Sequence, residues 1–333
     1  MPNELRRLLV WRRPEARTFT WWILLVAILL AGVGVAARWI DGTSILPLIQ
    51  AFFPCFGLLA AVLLVGAVVA RYPWLILFAI LVALPPVVLG VSALRTDTVA
   101  AGPRDEIVMT ANLEWGHADA RELIAAVRRE RVTTLVLQEC TAAELRALER
   151  DGLDAVLPQQ AGEARPGIRG TVVRSTHPLQ LVAEHPAGRF PSSPDVRVET
   201  RAGDYRLRAV HTPAPLPDIV SDWRSALRSL ARWREAQPGA QRLVMAGDFN
   251  ASRAMPGFRQ VSRGLTDASD ATGSGWRRTW PHGKAIPPFV QLDHVLSRGF
   301  GVVADGTVAI GGTDHLAYWA RLRMLRVTRA AAR

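Results

Sequence analysis

The polarity pattern divides the chain near residue 95. Upstream, apolar residues come in long blocks without an amphipathic period. Residues 19–37 carry no charge and are long enough to cross a bilayer as a helix. Residues 44–70, with Pro47 and Pro54, and residues 73–94, with Pro85 and Pro86, read as second and third spans. Proline is tolerated in such helices where neighbours re-satisfy the freed carbonyls. Trp21, Trp22, Trp39, Tyr72 and Trp74 sit near the block ends, where interfacial aromatic residues belong. Helices buried in a soluble domain would also be apolar, but three blocks in succession with aromatic borders read as an anchor. No acidic or basic residue lies inside them, which argues against a transport pathway.

Downstream the period changes. Residues 106–112 form a short apolar run ending in Asn112, as a buried strand does. Asp119 and Glu122 are spaced as a capping box for a helix through about Arg129, with Leu123, Ile124 and Val127 on its apolar face. Residues 134–139 repeat the strand pattern and end in Glu139; Thr141 and Glu144 then cap a helix to Arg150. Two strand–helix units within fifty residues indicate an α/β (α+β) domain. Residues 167–174 and 179–184 read as strands, and residues 205–211 alternate as a half-exposed strand carrying His211. A Pro-rich loop (212–218) precedes a helix at 221–234. On one face of it Arg224, Arg228 and Arg232 recur every four residues, as a phosphate-tracking row or, more simply, a solvated face. Residues 243–246 form another buried run, followed by Gly247, Asp248, Phe249 and Asn250; Asp248 and Asn250, two apart, point the same way in extended chain. Residues 264–268 and 279–281 read as loops, 290–296 as a strand, and 316–322 as a last strand after Thr313-Asp314-His315.

Composition sharpens this division. Half of the 333 residues are hydrophobic, an excess carried by the first hundred. Net charge is +11 and Lys284 is the only lysine. Residues 1–95 hold eight arginines against Glu4, Glu15 and Asp41, a net of +5, which leaves +6 for the rest. A mildly basic soluble part suits an anionic substrate or surface. Arg6, Arg7, Arg12, Arg13 and Arg17 make residues 1–18 a basic tail and place it in the cytoplasm by the positive-inside rule. Three spans then put everything after residue 94 outside: a polar linker (95–104), the soluble domain (105–324) and a second basic tail (325–333). Two cysteines, Cys55 and Cys140, make neither a disulfide framework nor a metal site.

Asn112, Glu139, His211, Asp248, Asn250, Asp293, Asp314 and His315 each lie in or just after an apolar strand-like run. Singly, such residues cap helices or satisfy backbone. Eight of them, of the types that hydrolysis requires, point to chemistry. Their oxygen ligands suit Mg²⁺ or Mn²⁺. The absence of HExxH and CxxC spacings disfavours zinc, and that of a G-x-S-x-G elbow disfavours a serine nucleophile.

The series Asn112, Leu-Gln-Glu139, Val-His211, Gly-Asp248-Phe-Asn250, Leu-Asp293-His and Thr-Asp314-His315, in this order, resembles the endonuclease/exonuclease/phosphatase superfamily over about residues 105–324. Trp280-Pro281 and the anchor resemble its membrane-attached bacterial branch. The resemblance implies a DNase I-like four-layer α/β sandwich with two mixed β-sheets and the site at one edge. It implies Glu139, Asn112 and Asp314 at a Mg²⁺ or Mn²⁺ ion, and Asp248 and Asn250 positioning water and the scissile phosphate. His315, oriented by Asp293, would lie at the phosphate, and His211 would donate to a non-bridging oxygen or the leaving group. The expected partners are a phosphate-ester substrate (nucleic acid, phospholipid or small phosphodiester) and the bilayer itself, with no obligate protein partner. Two positions depart from the family. Its Ser-Arg-x-Pro-Leu turn is here Arg174-Ser-Thr-His-Pro-Leu179, and His294 stands where an aromatic is common. His294 reads as structural. The competing reading is an inactive membrane-attached scaffold of the same fold, which predicts drift among the eight positions.

Overall fold

The computed structural model describes residues 14–43, 45–185, 191–275 and 277–325, which divide into two compact units. The tail arginines 6, 7, 12 and 13, Ser44 at the start of the second expected span, and residues 326–333 of the C-terminal tail lie outside the described residues.

The first unit is helical. Its elements are α1 (Pro14–Ala36), α2 (Leu46–Ala51), α3 (Phe53–Ala70) and α4 (Pro73–Ser92). Three helices, Arg17–Trp39, Phe53–Ala70 and Pro73–Ser92, are long and apolar enough to cross a membrane, with mean hydropathies of 2.3, 2.5 and 2.6. Small residues bring them together: Ala31, Ala60 and Ala83 form one buried cluster. A Cβ on Gly34 would lie 2.4 Å from the Phe56 ring. The second expected span, 44–70, is broken. Pro54 lacks an N–H and its ring crowds the carbonyl four residues back, so the helix restarts with Pro54 in its first turn. Helix α4, by contrast, runs through Pro85 and Pro86. Arg71, with φ +56°, closes the end of α3 by donating its N–H to Ala67 and Val68.

The second unit contains two six-stranded mixed sheets. In chain order its elements are β1 (Glu106–Asn112), α5 (Ala120–Arg129), β2 (Thr134–Gln138), α6 (Ala142–Arg150), α7 (Leu153–Val156), β3 (Gln159–Glu163), β4 (Thr171–Ser175) and β5 (Leu179–His185). Then follow β6 (Ser193–Val198), β7 (Tyr205–His211), α8 (Val220–Ala236), β8 (Leu243–Asp248), α9 (Pro256–Ser262), β9 (Thr266–Asp267), α10 (Ala268–Ala271), β10 (Asp293–Arg298), β11 (Phe300–Val308) and β12 (Ala317–Met324). One sheet has the order β11-β12-β1-β2-β4-β3, the other β5-β6-β7-β8-β10-β9. β1–β2 and β7–β8 are parallel pairs, and the remaining pairs are antiparallel.

Alternation along the strands builds the layers. Val108, Val136, Leu207, Ala209, Val244, Ala246 and Val295 face inward and form the core between the sheets. Met109, Ala111, Leu135 and Leu137, on the opposite face of the first sheet, pack on Leu123, Ile124 and Val127 of α5. α8 buries Trp223, Leu227 and Leu230. This is the expected DNase I-like sandwich. Asp119 caps α5 by accepting from Arg121 and Glu122, but Glu122 does not return the bond; its carboxylate takes the Gly311 N–H at 2.7 Å.

Several local expectations are corrected. β7 is not half exposed: it is central and covered on both faces. Arg206 and Arg208, which made it look amphipathic, turn to Asp195 on β6. Residues 167–169 form a 3-10 turn and only Thr171–Ser175 pair as strand. Residues 264–268, expected as loop, contribute β9 and the start of α10. Residues 95–104 are not a free linker. Asp97 and Val99 donate their N–H groups to Ala271 and Val302 at 2.7 and 2.9 Å, and Asp105 receives Arg321 and Arg323. The polar composition reads as solvated, yet its backbone is engaged on the domain surface.

Candidate active site

The inward rows of the strands do not end in apolar residues. Val108, Thr110 and Asn112 follow one another on the inner side of β1; Leu207, Ala209 and His211 do so on β7, and Val244, Ala246 and Asp248 on β8. Asp293 begins the inward row of β10, two residues before Val295. Register brings these ends level: Asp248 pairs with both His211 and Asp293, and Asn112 with Gln138. The site is the open end of the inter-sheet core, where each row takes one further step with a polar side chain.

Two residues reach it through left-handed backbone. Glu139 is one step out of phase with Gln138, and its φ of +54° breaks the alternation and turns it inward. Asn250, two residues after Asp248, also has left-handed backbone, φ +47°, so the two meet through a turn and not through extended chain. Non-glycine residues held in this region cost stability and persist where surrounding contacts fix them. Gly247 has no alternative: a Cβ there would sit 1.9 Å from the Val210 carbonyl oxygen. Phe249 anchors the turn from beneath, fully buried and edge-on to Phe258 and His294. Burying such a ring contributes about 1.5–3 kcal/mol.

All eight expected residues join one network. Asn112 donates its amide N–H groups to Glu139 and Asp248, each at 3.1 Å. Glu139 also accepts the Trp115 backbone N–H at 3.0 Å. His211 Nε2 lies 3.6 Å from Glu139 and 3.9 Å from Asp248. Asn250 donates its backbone N–H to Asp248 Oδ1 at 2.7 Å and its amide to the Thr212 carbonyl at 2.9 Å. His315 bonds Asp293 Oδ2 through Nδ1 at 2.8 Å, while its Nε2 lies 3.8 Å from Asp248 and 3.9 Å from Asp314. Nε2 is thus the ring atom left to face a substrate.

Three supports were not read from sequence. Thr313 Oγ1 donates to the Asn112 carbonyl at 2.7 Å and accepts the His315 N–H at 3.2 Å, tying β1 to the histidine loop. Trp280 Nε1 donates to Asp314 at 3.1 Å. Thr279 Oγ1 accepts the backbone N–H groups of Leu292 and Asp293 at 3.0 and 3.2 Å. Thr313 and Trp280 do stand inside the recognised motifs, which is the signal available for them.

Two motif departures resolve as structure. Arg174 is buried away from the site, bonded to the Leu157 carbonyl, Gln160 and Asp154. His294 is held between Asp267 and the Ala251 carbonyl at 3.0 and 3.1 Å. Of the arginine row on α8, Arg228 and Arg232 are exposed.

Four carboxylates, Glu139, Asp248, Asp293 and Asp314, surround two imidazoles. Burial raises the pKa of Glu139, against the lowering effects of Asn112, Trp115 and His315. Burial also pushes Asp248 up to about 6, with His315 opposing. His211 is pushed down by burial and stays a neutral donor. For His315 burial alone would lower the pKa, but Asp293 and Asp248 outweigh it and raise it to about 10.

The excess of negative charge is what a divalent cation would offset. Asp293 Oδ1 is buried without a hydrogen-bond partner. Asp248, Asp293 and His315 each offer an atom within 4.8 Å of the others, a spacing open to a metal. His315 Nδ1 is already committed to Asp293, however, so its Nε2 would have to give up a proton to ligate. The Asn112–Glu139 edge, with Asp314 near enough to raise Glu139 further, is the better fit for a hard cation.

The His315 pair has a testable consequence. Its native pKa lies above the unfolded value near 6.5, so its stabilising contribution is complete below pH 6.5 and is lost as pH rises through about 10. The thermal midpoint of the metal-free protein is expected to fall across that range, and Asp293→Asn to flatten the slope. An unchanged slope in the variant would remove the pair as its source.

No match was found among the curated proteins. An endonuclease/exonuclease/phosphatase from Beutenbergia cavernae DSM 12333 is 22% identical, covering 67% of this chain and 72% of its own, with a TM-score of 0.50. D. rerio TDP2 complexed with single strand DNA product is 14% identical, covering 66% of this chain and all of its own (100%), with a TM-score of 0.53. Truncated Caenorhabditis elegans TDP2 is 16% identical, covering 66% and 98%, with a TM-score of 0.53. These likenesses establish a shared fold. The model of the Endonuclease/Exonuclease/phosphatase family matches residues 109–315, from the first sheet to His315 itself, and the chain belongs to that family.

Proposed function

We propose that the chain is a membrane-anchored, divalent-metal-dependent phosphoric ester hydrolase. The observation that carries this reading is the file Asp293–His315–Asp248, at 2.8 and 3.8 Å, beside Glu139 and His211. Members of the family hydrolyse phosphate esters. Asn112, Glu139 and Asp314 would hold Mg²⁺ or Mn²⁺, whose charge would offset that developing on the phosphate.

The chain's own groups divide the remaining work. Asp248, anchored by Asn250 and raised to about 6, accepts the proton of the attacking water near neutral pH. His315 keeps its own proton and presents Nε2 to a non-bridging oxygen, its ring fixed by Asp293. Neutral His211, 3.6 Å from Glu139, gives a hydrogen bond to another oxygen or to the leaving-group oxygen without losing its proton. Nucleic acid, phospholipid headgroups and small phosphodiesters remain the substrate classes to be tested. The DNA product bound to the zebrafish TDP2 neighbour favours including single-stranded DNA.

The assay is full-length protein in neutral detergent with Mg²⁺ or Mn²⁺, offered plasmid DNA, single-stranded DNA, phospholipid vesicles and a chromogenic phosphodiester. Turnover of at least one substrate, lost with a chelator and restored by metal, is expected. Metal should also raise the thermal midpoint, because it binds the native state. Failure on every substrate, with no metal-dependent shift, would favour the inactive scaffold.

The three apolar helices support an anchor, and the arginine-rich tail supports a cytoplasmic N-terminus with the hydrolase outside. A reporter fused after Arg333 should be active outside the cytoplasm and silent within; the opposite pattern reverses the topology.

A further inference from the structure

A second concavity adjoins the reaction centre, and apart from His211 and Thr212 its lining has no part in the hydrolytic arrangement. It lies between β7 and α8, has a volume of about 230 Å³, and shares His211 and Thr212 with the site. Val210, Ala226 and Leu230 give it apolar walls, while Arg208, Arg232 and Ser229 supply polar groups.

Arg208 is the unusual member. The residue is only 3% exposed, its Nε donates to Ser193 Oγ at 2.8 Å, and its Nη1 has no hydrogen-bond partner. The nearest carboxylate, Asp195, lies 3.8 Å from that Nη1 and is already bonded by Arg206 and by Trp233 Nε1. Burial lowers the Arg208 pKa, with Asp195 opposing, yet only to about 10, so the group stays charged at neutral pH. The lining itself carries two guanidinium groups, Arg208 and Arg232, against one carboxylate, Asp222. A buried cation with an unmet donor is costly unless something accepts that bond.

We propose that this cavity is an anion subsite, taking a terminal phosphate that the substrate carries apart from its scissile ester. The assignment rests on the hydrolase reading, and it narrows the substrate to a small phosphorylated molecule or headgroup. Size supports the terminal position. About 230 Å³ equals roughly seven or eight water molecules at ~30 Å³ each. That holds a phosphate and a few carbons, and nucleotides flanking an internal phosphate would have to lie outside it.

Calorimetric titration of inorganic phosphate into the full-length protein in neutral detergent, with a chelator present, tests this. Saturable binding with a Kd of about 1 mM is expected, kept in Glu139→Gln and weakened at least tenfold by Arg208→Gln. Ser229→Phe, made on the exposed face of α8, should fill the cavity and weaken binding equally, which keeps the test decisive if Arg208→Gln does not fold. Binding lost in Glu139→Gln but kept in Ser229→Phe would assign the phosphate to the reaction centre and overturn the subsite. So would the absence of saturable binding, or displacement of phosphate by an oligonucleotide with no terminal phosphate. If phosphate binds as expected but no ester is turned over, the hydrolase reading fails while the anion site stands.

Discussion

Glu139→Gln and His315→Ala should each lower turnover at least 100-fold while leaving a cooperatively folded domain. Removing one positioned donor at a developing charge typically costs a factor of about 100 to 1,000 in rate. Glu139→Gln is nearly isosteric. It preserves an oxygen for the Trp115 N–H and removes the charge that would hold the cation. His315→Ala removes the group facing the phosphate and also strands Asp293, which is fully buried. Breaking a buried pair in this way costs about 3–5 kcal/mol, unless the freed carboxyl takes up a proton. A lowered thermal midpoint is therefore expected for His315→Ala and not for Glu139→Gln. His315→Gln, which retains a donor, separates lost chemistry from lost packing. Rates near wild type in Glu139→Gln or His315→Ala, measured on a substrate the parent protein cleaves, would refute the assignment.

Gly247→Ala should have the largest effect on folding. With φ +149°, the residue occupies backbone space that L side chains rarely enter. An added methyl would lie 1.9 Å from the Val210 oxygen and 2.7 Å from its carbonyl carbon, both backbone atoms of the parallel neighbour. No rotamer relieves this, and either β7 or β8 must move. Strain and steric displacement together are expected to cost about 3–5 kcal/mol, a large share of a typical domain's stability. Because Asp248 and His211 are the next pair along those strands, surviving protein should also be less active. A variant with a wild-type midpoint would mean that the strands tolerate a wider separation than their register implies.

Much of the site is legible in the sequence. Polar residues of hydrolytic type recur at the ends of apolar runs, and strand alternation carries Asn112, His211, Asp248 and Asp293 toward the core side. Glu139 was legible as a carboxylate closing an apolar run, but its spacing alone points away from the site and only its left-handed backbone reverses it. The missed strands carried only a weak or interrupted apolar signal. β3 buries only Ala161, β6 contains Pro194 and Asp195, and β11 has two glycines and a bulge near Val302. Their pairing is supplied by neighbouring strands. β7 failed for the opposite reason: Arg206 and Arg208 mimic a solvent face, and Asp195, ten or more residues away, is what lets them be covered.

By itself, the order of residues determined the division into apolar helices and a strand-rich domain, the family, and the eight polar positions, because these depend on local period and short motifs. Tertiary structure decided the rest. Register and sheet stacking brought residues from 112 to 315 within hydrogen-bond reach of one another. Left-handed turns aimed Glu139 and Asn250, and a distant carboxylate left Arg208 with an unmet donor beside His211. Such outcomes depend on which strands become neighbours and how far apart they lie, and burial sets their energies only once those neighbours are in place.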